Sequence, residues 1–146
     1  MVGDSSKIPY IIAMIDTRLT NSSYFITALS LCDVFLKDQR QYPWIILVPR
    51  VENIAEIHQL NSDQQIQLIH DITKVSKAMA SHFHPDKINV AALGNIVSQL
   101  HVHIVARFKN DPLWPQGIWQ QELAVAPYLK NEANDIVLAL HTSVCA

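Results

Sequence analysis

The run Ser98-Gln99-Leu100-His101-Val102-His103-Ile104-Val105-Ala106-Arg107 constrains this chain more than any other stretch. It is apolar and rich in β-branched residues, the composition of a strand. Successive side chains of a strand point to opposite faces, so His101 and His103 share one face while Leu100, Val102 and Ile104 share the other. Gln99 and Arg107 fall on the histidine side. The pattern predicts a strand from about 98 to 107 with an apolar back for a core and a row of polar, titratable groups in front. An imidazole titrates near neutral pH and serves as nucleophile, proton carrier or metal ligand. The row therefore asks for a chemical explanation.

The rest of the chain supplies enough material to build around that strand. Its 146 residues are 49% hydrophobic, the make-up of one domain with a sizeable core. A net charge of −2 is the wrong balance for a protein that grips a nucleic-acid backbone, so no nucleic-acid partner is expected. Cys32 and Cys145 lack metal-binding or redox spacing and read as free thiols of a reducing compartment. No basic leader precedes a long apolar run, and no apolar stretch is long enough to span a bilayer. The expectation is a cytoplasmic protein with no membrane partner and no cofactor.

Along the chain, the apolar run at 8–15 suits a strand or short helix, and 16–23 reads as a loop. Leu29 to Lys37 and Trp44 to Val48 predict a hairpin around the polar turn 37–41, closed by Pro49. Ser62 with Gln65 has the spacing of a capping box. Ile66, Ile69, Ile72, Val75, Ala78 and Met79 then recur at helical spacing, predicting a long amphipathic helix to about His82, stopped by Pro85. Lys87 to Leu93 is the next predicted strand, Gly94-Asn95 the turn into the histidine strand, and Glu132 to Ser143 a terminal helix. Hairpins around one long helix indicate an α+β domain with an antiparallel sheet.

Three chemistries fit the histidine row. An isolated hydrogen-bonded pair on a sheet face is the plainest. Zinc is another, since His82 and His84 form a second His-x-His, but no Cys or carboxylate stands at ligand spacing from either pair. Phosphoryl chemistry is the third. A neutral imidazole attacks phosphorus and holds the group covalently, while a second imidazole and the amides of a glycine turn meet the phosphate oxygens. Trp114 and Trp119, with Pro112 and Pro115, fit a base-binding or dimer surface equally with a loop over the core. Arg107 suits an anion or, more ordinarily, a carboxylate partner. His58, His70 and His141 read as exposed, and Asp33 and Glu52 show no partner.

Gln99-Leu100-His101-Val102-His103-Ile104-Val105 resembles the His-φ-His-φ-His-φ-φ signature of the histidine-triad (HIT) superfamily of nucleotide hydrolases and transferases. The hairpin at Asp38, the Trp44–Pro49 strand, the long helix ending in His82-Phe83-His84, the Gly94 turn and Trp114-Pro115-Gln116-Gly117 follow the family's order. The likeness covers about residues 8–120. It implies a single HIT-like α+β domain over 1–146, with an antiparallel sheet of about five strands, one long helix, and a C-terminal helical extension from about 121. It also implies a homodimer and a nucleotide substrate.

By the same resemblance His101 is the nucleophile toward the α-phosphate of a nucleotide conjugate, such as a dinucleoside polyphosphate or nucleoside phosphoramidate. His103 holds phosphate oxygens. Asn95, with the backbone of Gly94 and Ile96, grips the scissile group, Asp38 meets the ribose hydroxyls, and Trp114 lies on the substrate side; no metal ligand is implied. The chain departs from the pattern at Gln99, which replaces the first histidine of the triad, and at Trp44, which replaces a histidine of the earlier strand. Ile96 stands where many members have a hydroxyl residue. The alternative the departures raise is a nucleotide-binding or regulatory protein on the same scaffold with weak or no turnover.

Overall fold

Five antiparallel strands carry the molecule, and the histidine strand lies inside the sheet. The structure is a computed structural model and describes residues 15–146. In chain order it has a short helix α1 (Thr17–Thr20) and strands β1 (Ser23–Ala28), β2 (Cys32–Lys37) and β3 (Trp44–Pro49). A 3-10 turn (Ile57–Gln59) leads to the long helix α2 (Ser62–Phe83), strands β4 (Lys87–Ala91) and β5 (Val102–Arg107), and helix α3 (Lys130–Val144). The sheet order is β1-β2-β3-β5-β4, every neighbouring pair antiparallel. The α+β fold with five strands is as expected, and no described helix is long and apolar enough to cross a membrane.

Alternation sorts the side chains into two layers. Val34, Leu36, Ile45, Leu47, Val102, Ile104 and Ala106 face Leu68, Val75, Ala78 and Met79 of α2 and Leu140 and Val144 of α3. The opposite side is covered as well. Phe35, Trp44, Ile46, Val48 and Val105 pack with Ile15, Leu19, Tyr42, Val97 and Ile118. What lies in front of the histidines is thus a second apolar layer, which leaves His101 6% and His103 7% exposed.

Several boundaries differ from the sequence reading, each for a local reason. The segment read as a loop over 16–23 contains α1, capped by the Asp16 side chain on the Arg18 amide, and leads into β1. The run read as one strand from Leu29 is a turn over 29–31 before β2 begins at Cys32. Asp71, buried on α2, holds that turn: its Oδ2 accepts from the amides of Leu31 (3.0 Å) and Cys32 (2.9 Å). Arg50 grips it from the other side through the Leu29 and Ser30 carbonyls and pairs with Asp33 at 2.9 Å, so Asp33 does have a partner.

The cap of α2 sits one residue earlier than expected. Asn61, as strong a cap as serine, accepts from the Gln64 amide, and the Gln64 side chain accepts from the Asn61 amide. Gln65 turns instead to the Leu60 carbonyl. The helix ends at His84, which takes a left-handed conformation (φ 51°) next to Pro85. β4 stops at Ala91 and β5 starts only at Val102, so His101 stands just before the ladder rather than within it. The run at 8–14 lies outside the described residues.

Candidate functional site

His101 and His103 form the centre, ring centroids 4.8 Å apart and nearly perpendicular. The two rings are held in opposite senses. His101 Nδ1 lies 2.7 Å from the carbonyl oxygen of Gln99, and a carbonyl only accepts. Nδ1 therefore carries the proton, and Nε2 of the neutral ring keeps its lone pair. His103 Nδ1 lies 2.9 Å from the indole Nε1 of Trp44, which only donates. Its Nδ1 is thus the acceptor, and the neutral ring carries its proton on Nε2. One imidazole offers a lone pair, the other an N–H.

Burial, with help from His101 and the Lys37 ammonium, pushes His103 down from 6.5 to about 4. It is neutral at physiological pH, which the Trp44 hydrogen bond requires. Trp44 belongs to β3, where its cross-strand partner is Val105, and its ring contacts His103 at 5.5 Å between centroids. Trp119 closes the same corner, 5.6 Å from His103 and 6.4 Å from Trp44.

Beyond His103 opens a cleft of about 380 Å³ whose walls include Lys37, Asp38, Trp44, Trp119 and the segment 123–126. That segment is laced to the β2–β3 turn. Gln39 Nε2 donates to Ala124 O (3.0 Å) and the Arg40 amide to Ala126 O (2.8 Å). The Tyr128 amide donates to Asp38 Oδ1 at 2.8 Å. Lys37 Nζ donates to Ser22 Oγ at 2.8 Å and lies 5.8 Å from the Trp44 ring. Burial lowers its pKa.

On the other side of His101, Gln99 joins two elements. Its carbonyl holds His101, and its Oε1 accepts from the Asp16 amide at 2.8 Å. The Gly94–Ile96 loop flanks it, with Gly94 at φ 77°, a conformation that favours glycine; a Cβ there would meet nothing closer than 3.6 Å, so backbone rather than space sets the residue. Asn95 and Ile96 are exposed, Ile96 at 85%.

Not every residue of the sequence reading comes to this centre. Trp114 stands over the Arg107 guanidinium at 5.9 Å, with Tyr42 at the same distance from it. Arg107 is itself buried and bound bidentately to Asp111 at 2.7 and 2.9 Å, with Asn89 on its third nitrogen at 3.0 Å. Trp119 and Lys37 line the cleft, and Trp114 is not among its lining residues. Trp44 was legible only as a replaced position. The clue to it was a large indole in a buried strand, whose N–H must find an acceptor. His82 and His84 are exposed at the end of α2, and among the described residues no group of three or more His, Cys, Asp or Glu gathers for a metal.

Comparison with known proteins fits this fold. A model of the HIT domain matches residues 18–110. The crystal structure of a histidine triad protein from Bradyrhizobium japonicum superimposes with a TM-score of 0.85 at 37% identity, covering 89% of this chain and 96% of that one. A histidine triad protein from Sinorhizobium meliloti 1021 gives 0.85 at 34% identity over 88% and 95% of the two chains. One from Marinobacter aquaeolei VT8 gives 0.84 at 37% identity over 89% and 94%. No curated protein matches the sequence.

Proposed function

The chain belongs to the HIT domain family, and from that premise we propose that it is a nucleotide hydrolase or transferase working through a nucleotidyl-histidine intermediate. The observation that carries the reading is the opposed wiring of the two imidazoles. His101 Nε2, its lone pair free because Nδ1–H is committed to the Gln99 carbonyl, attacks the α-phosphorus of a nucleotide conjugate. A P–N bond forms and the bond from phosphorus to the leaving group breaks, its electron pair departing with that group; a phosphate departs as the anion, and an amine takes a proton from solvent as it leaves. Water then adds hydroxide to phosphorus and gives a proton to solvent, while Nε2 regains its lone pair. His103 donates Nε2–H to the phosphate oxygens, a donor fixed in advance by Trp44. Asn95 and the backbone of Gly94 and Ile96 serve the scissile group, and Asp38 the ribose, with Oδ2 as the oxygen not taken by Tyr128.

Gln99 suits this scheme because the hold on His101 comes from its backbone carbonyl, which any residue supplies. Its side chain adds a grip on Asp16 that does not titrate. The test is turnover of labelled diadenosine tetraphosphate and adenosine phosphoramidate, beside the His101→Ala variant. Turnover with a trapped adenylyl-enzyme, both lost in the variant, supports the reading. Binding without turnover supports a regulatory nucleotide-binding protein, a second reading raised by Gln99 and Trp44 standing where the family has histidines. The homodimer is proposed too: β4 has β5 on one side only and Val90 is 48% exposed, leaving an open edge for a second copy. Sedimentation analysis tests it.

A further inference from the structure

Arg18 sits on the rim of the site and its hydrogen-bonding capacity is only partly used. Its Nε and Nη2 are bound to the Asp16 carboxylate at 3.0 and 2.7 Å, and its side chain is 59% exposed. Among the described residues Nη1 makes only a long contact, 3.5 Å, to the Ile96 carbonyl. A guanidinium has five N–H groups in a fixed fork. Two are committed to Asp16, and those of Nη1 are weakly engaged. The fork is held between Asp16 and the Gly94–Ile96 loop, so its orientation is set before any ligand arrives.

Its position follows from the chain of contacts. Arg18 binds Asp16, the Asp16 amide binds the Gln99 side chain, and the Gln99 carbonyl holds the His101 ring. The nucleoside cleft, by contrast, lies past His103, beside Lys37, Asp38 and Trp44, and Trp44 pairs across the sheet with Val105. Cleft and Arg18 therefore flank His101 from opposite ends of the strand. A substrate with its nucleoside in the cleft and its α-phosphorus at His101 extends its far part toward Arg18.

We propose that Arg18 is a specificity-determining residue that receives a phosphate-bearing leaving group and makes the site prefer nucleotide conjugates with an anionic leaving group over those with a neutral amine. This rests on His101 as the nucleophile. The Asp16 partner cancels most of the net charge, so recognition comes from directed N–H donors suited to phosphate oxygens rather than from a long-range field. Asp16 stays ionised throughout, because the Arg18 hydrogen bonds hold its carboxyl down at about 2.

The experiment is the ratio of kcat/KM for diadenosine tetraphosphate to that for adenosine phosphoramidate, in the wild type, Arg18→Ala and Arg18→Lys. The ratio is expected to fall tenfold or more in Arg18→Ala, mainly through KM of the tetraphosphate, and by a smaller factor in Arg18→Lys, which keeps a cation without the fork. A purely structural role through Asp16 lowers both activities alike; a ratio within twofold of the wild type in both variants therefore overturns the assignment. Should Arg18→Ala fold poorly, Arg18→Lys alone decides it. No turnover of either substrate by the wild type defeats the nucleophile assignment and this one with it. Turnover of both at an unchanged ratio defeats Arg18 alone.

Discussion

The two ends of strand β5 carry polar groups on the same face and use them in opposite ways. At one end each nitrogen of Arg107 has a partner, two on Asp111 and one on Asn89, and two aromatic rings lie near the guanidinium. At the other, His101 and His103 each have one ring nitrogen committed to the protein, and the second has no hydrogen-bond partner among the described residues. Both ends are buried, so burial does not tell them apart. The difference lies in unused valence. A buried cation whose every nitrogen has a partner is architecture, whereas a buried imidazole answered on one side only is suited to a reactant.

Removing His101 is expected to have the largest effect. His101→Ala should lower kcat by roughly a thousandfold or more, since no other group replaces a covalent nucleophile; steady-state assays check this, and a residual rate near the wild type breaks the comparison. Arg107→Ala should act on stability instead, costing about 3–5 kcal/mol in denaturant unfolding, because it leaves the Asp111 carboxylate buried without its partner.

The pH response should also separate the ends. His103 binds its proton at about 4 in the folded chain and at about 6.5 unfolded, so the unfolded state takes up more protons as the medium is acidified. The stability this histidine contributes is complete above pH 6.5 and lost as the pH falls toward 4. In His103→Asn the stability curve over that window should be flatter than in the wild type.

Smaller still, Trp44→Phe removes the indole donor that fixes the His103 tautomer while keeping an aromatic ring. A kcat about tenfold lower is expected, near 1.4 kcal/mol, together with a raised acid limb in the pH–rate profile. Asn89→Ala, which strips one acceptor from Arg107, should cost about 1 kcal/mol in unfolding free energy.

What could be read from the sequence was whatever repeats at short range. The alternation from Gln99 to Arg107 and the three-to-four spacing from Ile66 to Met79 announced the central strand and the long helix, because a period survives without knowledge of partners. β1 was missed since a bulge between Phe25 and Thr27 breaks its alternation, and polar Asn21 and Ser22 lead into it. The site was legible as two histidines and illegible as a wiring diagram. Trp44 meets His103 across 59 positions of chain, and Tyr128 meets Asp38 across 90. Trp114 was expected with the substrate because an aromatic in a Pro-rich loop looks the same whether it faces a base or a buried arginine.

The bond from the Tyr128 amide to Asp38 gives the C-terminal part of the chain a say in the cleft. Tyr128 stands just before α3, and α3 packs through Leu140 and Val144 on the far layer of the sheet. Segment 123–128 is therefore a belt, fastened along its length to the β2–β3 turn through Gln39, Arg40 and Asp38 and running on into the helical layer behind. A tail shortened before residue 128 would slacken that belt and widen the cleft, though every histidine stayed in place.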